Sequence, residues 1–194
     1  MRVLIVHAHP LATSFVAAAH ALIVDTLRAR RHEVDDLDLY AETFDPVLSA
    51  EQMRVYVDAT LNTREVEPYV ARLKSADALV LVFPVWFDGL PAIQQGNFQR
   101  VFLPGVATVI DDSGLFHRNL TNLKRLAAVA AYGESGTDVA KKGDPPRRFV
   151  RDNIGALIDP DGRFDYHAIY GMDVSTEPRR KAFLRRLERA FAAW

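Results

Sequence analysis

The chain has 194 residues, 49% of them hydrophobic and 25% charged, with a formal net charge of −1. The length suits one domain over residues 1–194, able to bury a core without disulfides or metals, and the balanced charge argues against nucleic-acid or membrane-surface binding. The absence of cysteine excludes thiol catalysis, cysteine–zinc sites and iron–sulfur clusters.

The N-terminal stretch MRVLIVHAHP contains no cleavage site and nothing near the ~20 apolar residues that span a bilayer, so a cytoplasmic protein without stable membrane insertion is expected. Within it VLIV (3–6) is short, continuous and β-branched, as a strand covered on both faces would be. An Ala-rich helix over 14–31 follows, ending in the basic RARR. EVDDLDLY (33–40) alternates imperfectly and suits an edge strand. Ser49 and Gln52 have capping-box spacing for a second helix, and VEPYVARLKSAD predicts a third with Val66, Val70 and Leu73 on one face. ALVLVFP (78–84) reads as the central strand, followed by a helix from Pro91. LAAVAAYG (126–133) and DYHAIYGMD (165–173) are further strands. In the closing helix Phe183, Leu187, Ala190, Phe191 and Trp194 share one face.

Strands alternating with helices predict an α/β fold, a flavodoxin-like doubly wound five-stranded parallel sheet of order 2-1-3-4-5 with helices on both faces. Ligands of such sheets sit at the carboxyl ends of the strands where the order reverses, which directs attention to the loops after strands 1, 3 and 4. The first, HAHPLATSF, carries Thr13 and Ser14 as a helix begins, with His9 as a third donor: an anion site at a helix N-terminus, or, for Ser14, a plain N-cap. The second, PVWFDGLP, puts Trp86 and Phe87 at a strand exit, either as core under the next helix or as a wall for a flat ligand, with Asp88-Gly89 as the tight turn. In the third, AYGESGTD, glycine-rich backbone can reach the polar edge of a ring, and Tyr132 can line its other side. Together these describe a pocket for a flat, phosphate-bearing ring, flavin before nicotinamide. A metal-dependent hydrolase using His7 and His9 is an alternative, although a barrel of that kind typically needs ~250 residues.

The segments HPLATSF, DLYAETFDPVLSAEQ, SADALVLVFPVWFDGLPA and RVFLPGVA resemble the flavodoxin-like NAD(P)H:quinone oxidoreductases, which include the DT-diaphorase type and the modulator-of-drug-activity and potassium-efflux ancillary types. The resemblance implies a homodimer in which flavin, FMN slightly before FAD, takes hydride from NAD(P)H and passes it to a quinone-like acceptor. It implies further that His9, Ser14, Phe15 and Val16 surround the flavin phosphate and ribityl chain, next to the Thr13 hydroxyl of the anion site read from the loop itself. Val85, Trp86, Phe87 and Asp88 would back the ring with their amides near its edge, and Ala131, Tyr132, Gly133 and Glu134 would close the pyrimidine side. The chain departs from the family pattern at Val16, Asp88, Gln94, Gln95, Asn97, Gln99 and Thr108, and SGTDVAKKGD lacks the family's Tyr and His. A carboxylate at Asp88 would oppose charge gained by a reduced ring. A regulatory or ancillary subunit with weak or no catalysis is therefore the alternative within this fold. The basic run KKGDPPRRFVRD is read as a solvated helix face or a contact for a phosphate.

Overall fold

The computed structural model describes residues 1–194. β1 (Arg2–His7) rises through the centre of the molecule and leads into α1 (Phe15–Ala29), β2 (Glu33–Asp38), the short α2 (Ala50–Arg54) and α3 (Glu67–Ser75). β3 (Ala78–Val85) and α4 (Ala92–Val101) follow, then a two-stranded hairpin of β4 (Thr108–Ile110) and β5 (Phe116–Arg118). The remainder is β6 (Arg125–Tyr132), α5 (Gly136–Lys141), α6 (Pro145–Phe149) running into a π-type turn, β7 (Arg163–Ile169), a single 3-10 turn and α7 (Glu177–Phe191). The sheet order is β2-β1-β3-β6-β7 with every pair parallel, which is the expected 2-1-3-4-5 pattern with β6 and β7 as its fourth and fifth strands.

Strand residues alternate between two apolar layers, as the two-residue period of a pleated strand requires. Val3, Ile5, Val80, Val82 and Val129 face α1 and α7, where they meet Ile23, Leu27, Phe183, Leu187 and Phe191. Leu4, Val6, Leu79, Leu81, Phe83 and Leu126 face the opposite way, against Val70, Leu73, Ile93 and Phe98. The apolar stripe of α7 is thus consumed by the sheet and its basic residues lie outside; no helix is long and apolar enough to cross a membrane.

The expected capping box is half made. Ser49 Oγ accepts from the Gln52 amide at 2.9 Å, but the Gln52 side chain is recruited by Arg100 on α4, whose Nε donates to Gln52 Oε1 at 2.8 Å. The Arg100 guanidinium also donates to the Asp45 carbonyl (2.6 Å) and to Glu65 Oε2 (2.8 Å), pinning the long excursion between β2 and β3 onto α4. The β4–β5 hairpin carries no sequence signal: its strands are three residues each and show no alternation, since their side chains are largely exposed.

Gly96 lies where α4 runs against the chain at Pro46. A Cβ at residue 96 would stand 2.3 Å from the Pro46 carbonyl oxygen and 2.4 Å from its Cα. Gly96→Ala is expected to destabilise the fold by about 1–3 kcal/mol through overpacking, measured by urea unfolding. A variant of wild-type stability would show that the contact relaxes freely.

Candidate functional site

The carboxyl ends of β1, β3, β6 and β7 surround an open cleft of about 490 Å³. The loop after β1 supplies His9, Ser14, Phe15 and Val16 to its wall; β3 and its loop supply Pro84, Val85, Trp86 and Phe87; β6 and its exit supply Ala131 and Gly133. Met172 and Asp173, from the loop after β7, complete it.

Ser14 is the N-cap of α1, its Oγ accepting from the Ala17 amide at 3.0 Å. Helix geometry leaves the N–H groups of Phe15 and Val16 without intrahelical acceptors, and no acidic residue occupies the first turn. The Val16 side chain is buried in the α1 layer, so this residue offers the cleft its amide. His9 Nδ1 accepts from the Leu11 amide at 3.0 Å, so Nε2 carries the proton of the neutral ring, and burial pushes the imidazole below its ordinary pKa. Two free amides and a neutral N–H donor therefore meet at the positive end of a helix, the arrangement that binds an anion. Thr13 is exposed, one residue before the cap and outside the cleft.

The aromatic pair after β3 is not core. Trp86 is 43% exposed, with its ring centroid 5.8 Å from that of His9, and Phe87 is fully exposed at the cleft mouth. The tight turn is centred one residue earlier than expected, on Phe87-Asp88 instead of Asp88-Gly89. Both residues have left-handed φ, 51° and 56°, and the turn is closed by Trp86 N–H to Gly89 O (3.1 Å) and Gly89 N–H to Trp86 O (2.9 Å). Each such non-glycine residue costs about 1–2 kcal/mol. The Trp86 amide is consumed in this turn and is not free for a ligand, whereas the amides of Phe87 and Asp88 have no acceptor in the chain. Asp88 itself lies outside the cleft lining, its carboxylate bridged by Lys142 to Glu134.

Tyr132 does not line the cleft. It shares a strand face with Ala128 and Ala130, opposite to Ala131, and is buried in the far layer. Its hydroxyl donates to Asp144 Oδ1 at 2.6 Å and meets the Tyr166 hydroxyl, and burial raises its pKa. Glu134 lies at the rim, outside the lining. Gly133 lies against the next loop: a Cβ there would stand 2.7 Å from Asp173 Oδ2 and push that carboxylate aside.

Met172 and Asp173 fall at the end of the fifth strand expected over 165–173, but β7 ends at Ile169 and the chain turns at Gly171, which has a left-handed φ of 64° and is the readable sign of a strand end. The Gly171 amide donates to the Glu134 carbonyl, which carries Met172 and Asp173 back across the end of β6.

His7 and His9 do not form a ligand pair. His7 Nδ1 pairs with Asp38 Oδ2 at 3.0 Å, and its ring stacks on His20 with centroids 4.3 Å apart and planes within 6°. No group of three or more carboxylate and imidazole side chains is placed to hold a metal.

Residues 1–157 match the model of a family described as having a flavodoxin-like fold, and the chain belongs to that family. It is similar to an NAD(P)H dehydrogenase [quinone] 1 of Rattus norvegicus, 32% identical over 161 residues, covering 73% of this chain and 57% of the relative. An FMN-dependent NADH:quinone oxidoreductase of Lachnoclostridium phytofermentans is 31% identical over 131 residues, covering 64% of this chain and 62% of the relative. The chain thus spans less than two thirds of either relative's length. The solved structure of an NAD(P)H:quinone oxidoreductase from Methanothermobacter marburgensis shares the fold, with a TM-score of 0.85 and 23% identity over 99% of this chain and 98% of that one.

Burial, then the neighbouring His20, lowers the pKa of His7 below its usual 6.5, against the raising effect of Asp38; burial lowers that of His9. The unfolded chain therefore binds more protons than the folded one as pH falls through the ordinary histidine range, so stability should drop as pH falls through about 6.5 towards the lowered folded-state values. His7→Asn, which can still donate to Asp38, is expected to flatten that slope in thermal melts; an unchanged slope would contradict the assignment.

Proposed function

We propose that the chain is a flavin-dependent oxidoreductase that carries a hydride from NAD(P)H, by way of bound FMN in preference to FAD, to a quinone or similar acceptor. The observation that carries this reading is one cleft holding an anion-binding helix terminus at one end and an apolar wall of Val85, Trp86 and Ala131 beside it. The residues fit the cofactor: the amides of Phe15 and Val16 with His9 Nε2–H would hold the phosphate, Trp86 would lie against the ring, and Asp173 would accept from a ring N–H. The names of the rat and Lachnoclostridium relatives support the same class.

When bound, flavin supplies two-electron chemistry, the balance being NAD(P)H plus quinone plus one proton giving NAD(P)⁺ plus hydroquinone. The chain's own part is to bind, to orient and to set the local charge. Ile110, Leu115 and Phe116 on the β4–β5 hairpin and Phe87 at the cleft mouth expose apolar side chains, and a second copy of the chain is the partner proposed to cover them. The ancillary-subunit alternative rests on the departures along the acceptor side; one of these, the Asp88 carboxylate, is bridged to Lys142, which favours catalysis as the reading.

Protein loaded with FMN and freed of excess by gel filtration should show flavin bands near ~370 and ~450 nm that bleach with NAD(P)H and return on adding a quinone. Bands that persist in NAD(P)H would refute the activity. Trp86→Ala should weaken FMN affinity at least about tenfold in a fluorescence titration. Unchanged affinity would remove Trp86 from the site.

A further inference from the structure

Lys142 Nζ sits between two carboxylates at the cleft rim, 3.0 and 2.9 Å from the oxygens of Asp88 and 2.7 and 2.9 Å from those of Glu134. Asp88 directly follows Phe87 in the strained turn after β3, and Glu134 directly follows Gly133 at the exit of β6; Phe87 and Gly133 both line the cleft. The bridge therefore spans the two loops on either side of the proposed ring site. The two carboxylates hold the ammonium above the ordinary lysine range, the hydrogen bond to Glu134 being the largest cause and that to Asp88 the next. All three side chains are two-fifths to nearly half exposed, so the bridge adds little to folding stability. Its consequence is where it places charge.

Asp88 and Glu134 together carry −2, and Lys142 brings the cluster to −1. Asp173 adds a further carboxylate to the cleft wall. A bound ring that accepts electrons gains negative charge, and each uncompensated carboxylate nearby opposes that gain. Resting on the flavin reading above, we propose that Lys142 is the charge-setting residue of this site. Its ammonium offsets Asp88 and Glu134 so that the bound ring can be reduced. A purely mechanical tether of the Phe87-Asp88 turn is the rival account, and the two differ in what a second charge removal does.

The test is the midpoint potential of FMN-loaded protein, titrated with dithionite beside a reference dye, for wild type, Lys142→Arg, Lys142→Met and the double variant Asp88→Asn/Lys142→Met. Lys142→Met leaves −2 and should move the potential negative, by an amount equal to a roughly tenfold loss of preference for the reduced ring. Lys142→Arg should match wild type. The double variant carries −1, as wild type does, and should recover the wild-type potential although the bridge is gone. A Lys142→Met potential equal to that of wild type overturns the inference, as does a double variant that stays with the single one. Far-ultraviolet circular dichroism checks that each variant is folded. Failure of wild type to retain FMN would instead refute the flavin reading, and this inference would fall with it.

Discussion

Everything in this molecule depends on β1 pairing in parallel with β2 on one side and β3 on the other. Because parallel crossovers are right-handed, the connection from β1 out to β2 and the connection from β2 back past β1 to β3, which run in opposite directions along the sheet, send α1 to one face and α3 to the other. The first turn of α1 and the loop after β3 are thereby separated at the strand ends, and the cleft opens between them. The anion-binding end of α1 and the aromatic wall at Trp86 follow from that divergence. Neither residue set makes a site without it.

Around this cleft the chain accepts backbone strain and apolar exposure that the two core layers lack. The core layers consist of close-packed aliphatic residues, with strands such as β3 buried along nearly their whole length. At the rim, two adjacent non-glycine residues adopt left-handed φ, a fully exposed phenylalanine projects into solvent, and two carboxylates share one lysine. Features of this kind persist where the surrounding structure enforces them, and they gather at functional sites. Here the two backbone hydrogen bonds between Trp86 and Gly89 provide that enforcement.

Much of the fold was legible because hydrophobic periodicity reports burial directly. VLIV and ALVLVFP mark strands buried on both faces, and the stripe from Phe183 to Phe191 marks a helix docked on the sheet. The site was less legible, for reasons that can be named. Tyr132 follows Ala131 on β6, so the two side chains point to opposite faces, and a strict two-residue period would have assigned the tyrosine to the core. Asp88-Gly89 carries the usual hairpin-turn signal, yet the turn is centred on Phe87-Asp88 because pairing of Trp86 with Gly89 fixes the register. Asp173 and Lys142 are brought to the cleft by tertiary placement of loops after β7 and α5, which no local pattern encodes.

The central claim is that the N-terminus of α1, with His9, is built for the phosphate of a flat cofactor. Comparing the equilibrium affinities of FMN and riboflavin, which share the ring and differ in the phosphate, tests it most directly. The account predicts that FMN binds at least about tenfold more tightly, as charge-assisted hydrogen bonds to two free amides and one imidazole N–H require. Equal affinities would mean that the phosphate finds no partner at α1, and the site as described here would be wrong.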